Sequence, residues 1–183
     1  MTHLDADHSL VSPSRSGRWV KLAPVDDHYM KFLYGLVVKQ PHDFHWLFSS
    51  TVPNWEIFVS VLLERLSLPF VILAQTDSRP IGFVSLYNLR LDSGVSHFGI
   101  CIEGSLQGSG IGTEALWLHL KYCAAKWNIR KFYGEIPEWS VQNIRSHLNK
   151  EFVEEGRLRD HFYRDGRYWD CIIAAYTPAQ RSL

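Results

Sequence analysis

The sequence predicts a mixed α/β domain with helices flanking a central mixed sheet. Three observations favour it. Strand-like and helix-like segments follow the order β-α-α-β-β-β-α-β-α-β-β, and three consecutive strands are joined by turns too short for parallel crossovers. In addition, an apolar strand leads through a glycine-rich loop into an amphipathic helix between Val95 and Trp127. The consecutive antiparallel strands argue against a doubly wound parallel sheet.

In the first half of the chain, capping residues and prolines delimit the helices. Asp26 or Asp27 can cap a helix that ends before Pro41, and the apolar residues after Asn54 recur at helical spacing until Pro69. The predicted elements are a strand at residues 18–22, helices at residues 27–40 and 55–66, and strands at residues 70–75 and 81–89. The last two strands are predicted to form a hairpin.

The second half of the chain contains the strand and helix on either side of the glycines. That helix is apolar on two sides, which predicts a mostly buried position. The predicted elements are strands at residues 95–102 and 131–136, helices at residues 111–127 and 140–150, and closing strands at residues 152–163 and 168–176. The closing strands flank Arg164, Asp165 and Gly166, a turn sequence typical of a hairpin.

Composition excludes several function classes. Hydrophobic residues make up 46% of the 183 residues and charged residues 21%, which is typical of a globular domain. Nineteen basic side chains balance nineteen acidic ones, so no net field attracts nucleic acid or an anionic membrane. No segment has the apolar length of a membrane span. We therefore expect neither a nucleic-acid partner nor a membrane partner.

Three cysteines, Cys101, Cys123 and Cys171, are widely spaced within apolar segments. This pattern is typical of buried free thiols in a reducing compartment, and the N-terminal residues lack the apolar core of a signal peptide. We therefore expect a cytoplasmic protein. Its predicted organisation is a flexible leader at residues 1–17, a single domain at residues 18–178 and a tail at residues 179–183.

The glycine loop has the composition of a phosphate cradle, and several interpretations compete. Glycine count alone also fits a plain connector between strand and helix. A P-loop requires Gly-Lys-Ser/Thr, whereas Gly112 is followed directly by Thr113. A dinucleotide fingerprint requires G-x-G-x-x-G and an acid about 20 residues on. Glu135 lies near that distance, but the glycines are spaced G-x-G-x-G.

The third motif is Gln/Arg-x-x-Gly-x-Gly/Ala, which Gln107-Gly108-Ser109-Gly110-Ile111-Gly112 matches in full. With it the chain resembles the GNAT superfamily of acetyl-coenzyme A dependent N-acetyltransferases over roughly residues 18–176, especially the ribosomal-protein N-terminal (Rim-type) branch. The resemblance rests on the sequence segments R-P-I-G-F-V-S-L, S-H-F-G-I-C-I, Q-G-S-G-I-G-T-E-A, N-I-R-S, E-E-G-R-L-R and R-Y-W-D. One departure is Glu151, where the family usually has the glycine of Lys-Leu-Gly-Phe.

The resemblance implies a GNAT-like fold and assigns the coenzyme contacts. The backbone amides of the six motif residues, Gln107 to Gly112, would bind the pyrophosphate. The pantetheine arm would pair with the backbone around Ile100, Cys101 and Ile102, where the family's central strand separates from the next one. The family's N-x-x-S pattern matches Asn143, a coenzyme contact, and Ser146, a hydrogen-bond donor or acid near the sulfur. By its own chemistry, that pair could equally be two ordinary polar residues early in a helix.

The amine must lose its proton before attack, which a base or a water relay assists. His97, Cys101 and Glu103 share one face of a regular strand. His97 occupies the position where the Rim-like branch commonly has glutamate, and either His97 or Glu103 could act as base. A hydrogen-bonded structural role for His97 and a solvated one for Glu103 remain alternatives. Cys101 is not expected to be a nucleophile, because the family transfers acetyl directly and cysteines in apolar strands are usually inert.

Two aromatic loops are expected to border the acceptor cleft, with Phe44, Trp46 and Tyr163 as candidate contacts. His42, Asp43 and His45 do not provide a clear third metal ligand, so no metal is expected. The implied reaction is acetyl transfer to a peptide N-terminus or a small amine, carried out by a monomer or homodimer. An acyl-coenzyme A sensor without catalytic activity is the alternative function. A polyamine acceptor would require an acidic cleft, and these loops are not clearly acidic.

Overall fold

The computed structural model describes residues 15–48, 52–141 and 151–178. Within these ranges the helices and strands are β1 (Val20–Pro24), α1 (Asp27–Lys39), α2 (Trp55–Arg65), β2 (Leu66–Ala74), β3 (Pro80–Arg90), β4 (Val95–Ile102), α3 (Ile111–Lys126), β5 (Lys131–Pro137), β6 (Phe152–Arg164) and β7 (Arg167–Tyr176). Their order is the predicted one. Residues 142–150 of the predicted last helix lie outside the described ranges.

One seven-stranded sheet has the order β1-β2-β3-β4-β5-β7-β6. All neighbouring strands pair antiparallel except β4 and β5, which are parallel. The predicted mixed sheet is therefore confirmed. The single parallel pair arises because α3 lies between β4 and β5 in the chain and returns it to the same end of the sheet.

The parallel pair is short. Pairing between β4 and β5 covers three positions and ends at His97 with Tyr133. At the next position, the Phe98 ring lies over Gly134, where an added Cβ would be 2.4 Å from Phe98 Cζ. The glycine therefore leaves space for an aromatic ring at the point where the two strands separate.

Two apolar cores cover the two faces of the sheet. One contains α3 residues such as Leu116 and Leu120, packed with Phe98 and Ile102 of β4. The other contains α1 and α2 residues together with Cys101 of β4. Alternate β4 side chains therefore point to opposite cores, as the pleat requires. None of the helices in the described ranges is long and apolar enough to span a bilayer.

Strand β2 begins earlier than predicted because it continues through Pro69. It starts at Leu66, and its register with β3 shifts between Ser67 and Phe70. Leu68 has a positive φ of 55° within this bulge, and its carbonyl lies 2.9 Å from His119 Nε2. Proline is tolerated at a bulge, where the ladder does not need its missing N–H group.

The described part of the chain also begins before the predicted domain boundary at residue 18. The Arg15 carbonyl accepts a hydrogen bond from Leu22 N at 2.8 Å, and Gly17 N donates to Val20 O at 2.7 Å. The Glu114 carboxylate accepts hydrogen bonds from the amides of Arg18 and Trp19. Residues 15–17, assigned to the leader from the sequence, are thus hydrogen-bonded to the folded domain.

Candidate active site

A cavity of about 190 Å³ lies where β4 and β5 separate. The loop after α1, the far half of β4, the glycine loop, the first turn of α3 and the end of β5 contribute its walls. The lining residues on which its chemistry depends are Asp43, Trp46, Ile100, Gly110, Glu135 and Trp139. The separation of the two strands thus creates an opening in an otherwise continuous sheet, and acidic side chains are among the residues that line it.

The backbone of β4 faces this opening at alternate residues. Glu103 N donates to Ile81 O of β3 at 2.9 Å, and alternate residues of a strand direct their backbone groups to opposite neighbours. The backbone N–H and C=O groups of Ile100 and Ile102 therefore point toward β5. The Ile102 carbonyl accepts hydrogen bonds from the side-chain amides of Gln40 at 3.0 Å and Gln107 at 3.3 Å. Ile100 has no ladder partner on β5, because that ladder ends at His97.

The glycine loop forms a cradle at one end of the cavity. Gly108 and Gly110 adopt left-handed backbone conformations with φ of 78° and 86°, which favour glycine. An added Cβ at Gly110 would meet no atom within 4 Å, so the space above this residue is open. Gly110 caps α3 without a side-chain hydrogen bond. The first amides of α3 and the positive end of its dipole therefore face a space suited to an anion.

The side chains of the motif are directed toward the protein. Gln107 Nε2 donates to Asp43 Oδ2 at 2.8 Å, and Ser109 Oγ donates to Leu106 O at 2.6 Å. Asp43 Oδ2 also accepts from Gln40 Nε2 at 2.8 Å. This network joins the end of α1 to the glycine loop. The Gln107 and Ser109 amides already donate to Gly104 O and Leu106 O, at 3.3 and 3.4 Å, so the glycine amides of the loop are the candidates for ligand contacts. Gln40 and Asp43 have no local sequence pattern that would have identified this role.

His97 and Glu135 form a pair at the edge of the cavity, which Glu135 lines and His97 does not. His97 Nε2 lies 3.9 Å from Glu135 Oε1, and the ring lies between those of Tyr87 and Tyr133, with centroid separations of 5.3 and 5.4 Å. Burial lowers the pKa of His97 from its ordinary value of 6.5, and the Glu135 charge opposes part of that shift. Neutral His97 near pH 7 is therefore able to accept a proton. Glu135 lines the cavity, and the sequence had suggested this residue only through the dinucleotide alternative.

Two buried polar atoms lie beside this pair. His97 Nδ1 and the Tyr87 hydroxyl are both buried, and neither has a hydrogen-bond partner among the described residues. Burial raises the pKa of Tyr87, with a smaller contribution from the Glu135 charge. Trp46 covers Tyr87 with a stacked ring at 5.3 Å.

His45 joins the loop after α1 to β5 beside Glu135. Its Nδ1 lies 3.1 Å from His42 O and its Nε2 lies 3.4 Å from Glu135 O, while its ring packs edge-on against Phe162 at 4.6 Å. Burial lowers the pKa of His45. Both ring nitrogens thus face backbone carbonyls, which indicates that His45 holds the cavity wall together.

The other predicted catalytic residues have different environments. The Glu103 carboxylate pairs with Arg79 at 2.6 Å and does not line the cavity. Cys101 lines the cavity, and burial raises the pKa of its thiol well above the ordinary value, which favours the unreactive thiol form. Asn143 and Ser146 lie outside the described residues.

Of the three candidate acceptor contacts, Trp46 lines the cavity. Phe44 is buried in the core beneath Trp46, with 2% of its surface exposed. Tyr163 is exposed and packs on Tyr168 in the closing hairpin, away from the cavity. Trp139 lines the cavity although the sequence analysis did not single it out, since it lies in a short turn without periodicity.

Comparison with known proteins identifies relatives of this chain. The family model described as "Acetyltransferase (GNAT) domain" matches residues 22–146. Spermidine N(1)-acetyltransferase of Escherichia coli (strain K12) is 22% identical over 160 residues, which cover 86% of this chain and 85% of that protein. An uncharacterized N-acetyltransferase from the SPbeta prophage of Bacillus subtilis (strain 168), YokL, is 21% identical over 136 residues, covering 74% of this chain and 76% of that protein.

Solved structures share the fold at low identity. Spermidine N-acetyltransferase from Vibrio cholerae, solved with CoA and spermine, has a TM-score of 0.74 and 20% identity, covering 86% of this chain and 95% of that one. Ribosomal-protein-S5-alanine acetyltransferase from Vibrio fischeri has a TM-score of 0.69 and 17% identity, covering 88% of this chain and 94% of that one. The same architecture thus occurs in proteins named for a small amine and for a protein acceptor.

Proposed function

This chain belongs to the GNAT acetyltransferase family, and we propose that it transfers an acetyl group directly from acetyl-coenzyme A to a primary amine within a ternary complex. The observation that carries the proposal is the cavity between β4 and β5, which has an anion cradle at one end and the Glu135–His97 pair at the other. Acetyl-coenzyme A supplies a thioester, and the amine forms an amide as the thiolate leaves.

The chain fits the coenzyme at two places. Within residues 107–112, the amides of Gly108, Gly110 and Gly112 suit a pyrophosphate, because the positive φ values at Gly108 and Gly110 open the loop toward the start of α3. The Ile100 backbone suits an amide of the pantetheine arm, since it faces the split without a partner on β5. The Ile102 carbonyl already accepts from Gln40 and Gln107, which makes Ile100 the stronger candidate.

Glu135 is the proposed proton acceptor. Its carboxylate lies at the cavity, where it can take the proton of the attacking amine either directly or through a water. His97 lies behind it as a neutral ring that orients the carboxylate and can accept the proton in turn. Glu103 is the weaker candidate because Arg79 holds its carboxylate outside the cavity.

Asn143 as a coenzyme contact and Ser146 as a donor to the leaving sulfur remain predictions from the family resemblance. Direct transfer is supported by the raised pKa of Cys101, because a buried neutral thiol is a poor nucleophile. A cytoplasmic location and a monomeric or dimeric state also remain predictions. A dodecameric structure of the Vibrio cholerae spermidine N-acetyltransferase makes larger assemblies worth measuring.

Release of free thiol tests the proposal. Purified protein with acetyl-coenzyme A is incubated with peptides, aminosugars, aminoglycosides, polyamines and simple monoamines. We expect release that depends on both coenzyme and amine, with acetylated amine found by mass spectrometry. Thermal stabilisation by coenzyme A without turnover on any amine would instead support the sensor function.

A further inference from the structure

A second cavity adjoins the first on the side of α1 and the closing hairpin. It is bordered by Lys39, Pro41 and Gly104, and across the opening by Arg164, Asp165 and Trp169. The two cavities share His42, Asp43, Gln107, Trp139 and Ser140 as lining residues. The two cavities are therefore adjacent, and an acceptor that enters through the second reaches the cavity that Glu135 lines.

Tryptophan rings in fixed positions line the two cavities: Trp139 borders both, Trp169 the second and Trp46 the first. Trp139 meets Phe162 and Trp169 edge-to-face, with centroid separations of 5.6 and 5.8 Å. Trp46 lies flat against Gly99, where an added Cβ would be 2.3 Å from its ring, and its indole N–H donates to Asp43 O at 3.1 Å. Rigid aromatic walls of this kind favour a ligand with a flat apolar part, because edge-to-face and offset contacts add to burial.

The charges of the described lining residues do not distinguish between one ammonium group and several. Asp165 pairs with Arg164 at 3.2 Å, but Asp43 accepts hydrogen bonds from two uncharged glutamine amides and Glu135 lies beside His97, which is neutral near pH 7. Lys39 also borders the second cavity, and the Arg164 guanidinium carbon lies 5.2 Å from the Trp139 ring centroid. The choice of acceptor therefore depends on the aromatic walls.

We infer that the acceptor is a small primary amine in which a short chain joins the amine to an aromatic ring. This inference rests on the proposed acetyl transfer. The ring lies against Trp139 and Trp46 while the amine reaches Glu135. Spermidine, for which relatives of this chain are named, has no ring, so the inference separates this chain from them by the aromatic walls of its cavities.

Steady-state kinetics with three amines test the inference at saturating acetyl-coenzyme A. We expect kcat/KM for 2-phenylethylamine to exceed that for n-hexylamine about tenfold, the size of effect that a few aromatic contacts provide. We expect it to exceed that for spermidine by a similar factor, since spermidine also has no ring to pack against the tryptophans. Removing the ring in Trp139→Ala is expected to raise KM for 2-phenylethylamine about tenfold with kcat within about twofold.

Two variants control for folding and for tryptophan loss in general. Trp139→Phe keeps a ring and is expected to retain KM within about threefold. Trp19→Ala removes an exposed tryptophan that also has an arginine over its ring, at 4.9 Å, but lies outside both cavities; its kinetics are expected to match the native protein. Circular dichroism melting confirms that each variant is folded.

Several results would overturn the inference. Preference for spermidine, equal kcat/KM for 2-phenylethylamine and n-hexylamine, or turnover restricted to peptides or aminoglycosides would refute the aromatic amine while leaving acetyl transfer intact. Coenzyme binding without thiol release on any amine would refute the proposed function and this inference with it.

Discussion

The two halves of strand β4 have the same partner on one side and different environments on the other. Residues 95–102 pair with β3 along nearly their whole length, whereas pairing with β5 includes residues 95–97 alone. The paired half holds His97 in a fixed position beside Glu135. The unpaired half exposes backbone groups to the cavity. One strand thus holds His97 beside the proposed proton acceptor on β5 and also provides an open edge, which we propose binds the coenzyme.

Two glycines on neighbouring strands maintain this difference. Gly134 receives the Phe98 ring on the α3 side of the sheet, and Gly99 receives the Trp46 ring on the opposite side. A side chain at either glycine would collide with an aromatic ring that borders the split. The separation of β4 from β5 therefore depends on packing as much as on the missing hydrogen bonds.

The largest expected effect is at Glu135 on β5, beside the paired half of β4. Glu135→Gln is expected to lower kcat about 100-fold or more, because it removes the proton acceptor and keeps the shape, while KM for acetyl-coenzyme A stays within about threefold. The matched control is Glu103→Gln, whose carboxylate pairs with Arg79 outside the cavity. Its kcat is expected within about twofold of native. A greater loss in the control than in Glu135→Gln would reassign the base.

The next effect concerns the cradle at the end of the unpaired half. Gly110→Ala is expected to weaken coenzyme A binding about tenfold, because a methyl group fills the open space and strains a left-handed residue. Gly166→Ala is a close control, since both glycines have positive φ, 86° and 81°, and open space around the missing Cβ. Both variants should lose about 1 kcal/mol of unfolding free energy. If isothermal titration gave equal Kd values for coenzyme A with the two variants, the glycine loop would not be part of the coenzyme site.

A smaller effect is expected in the middle of the unpaired half. Gly99→Ala places a Cβ against Trp46 and is expected to cost about 1–3 kcal/mol in stability through overpacking. KM for the amine should rise about threefold to tenfold as Trp46 moves. Gly156→Ala in β6 is the control, because its nearest neighbour would be 3.9 Å away. Urea unfolding and amine kinetics measure both; an undisturbed Gly99→Ala protein would contradict the tight packing.

The smallest effect is a pH dependence that originates in the paired half. Since burial lowers the pKa of His97 below 6.5, the ring stays neutral above that value and becomes charged as the pH falls through its folded pKa. As the pH falls, His97 is protonated in the unfolded chain before it is protonated in the folded chain. The contribution of neutral, buried His97 to the free energy of unfolding is therefore fully present above pH 6.5 and declines below it. A charged His97 also pairs with Glu135 and weakens it as a base. We expect kcat/KM of the native protein to fall by about twofold to fivefold as the pH is lowered through the pKa of His97. The pH profile of His97→Gln is expected to lack this decrease.

Local sequence patterns predict the element order and the glycine loop well, because strand alternation, helix caps and glycine spacing are short-range signals. They misplace the start of β2, since Pro69 is a breaker in most strands and is accommodated here by a bulge. They miss the pairing of Glu135 with His97 and the bonds of Gln40 and Asp43 to the loop. These contacts join residues that are 38 to 64 positions apart and depend on how β5 and α1 pack on β4.

Hydrogen exchange at single amides tests the difference between the two halves most directly. The Ile100 amide faces the split, whereas the Cys101 amide faces β3 by the alternation of the strand. With saturating coenzyme A, NMR should show protection of the Ile100 amide rising at least about tenfold while that of Cys101 stays unchanged. Calorimetric binding of coenzyme A with no change in exchange at Ile100 would contradict the assignment of the unpaired half as its binding edge.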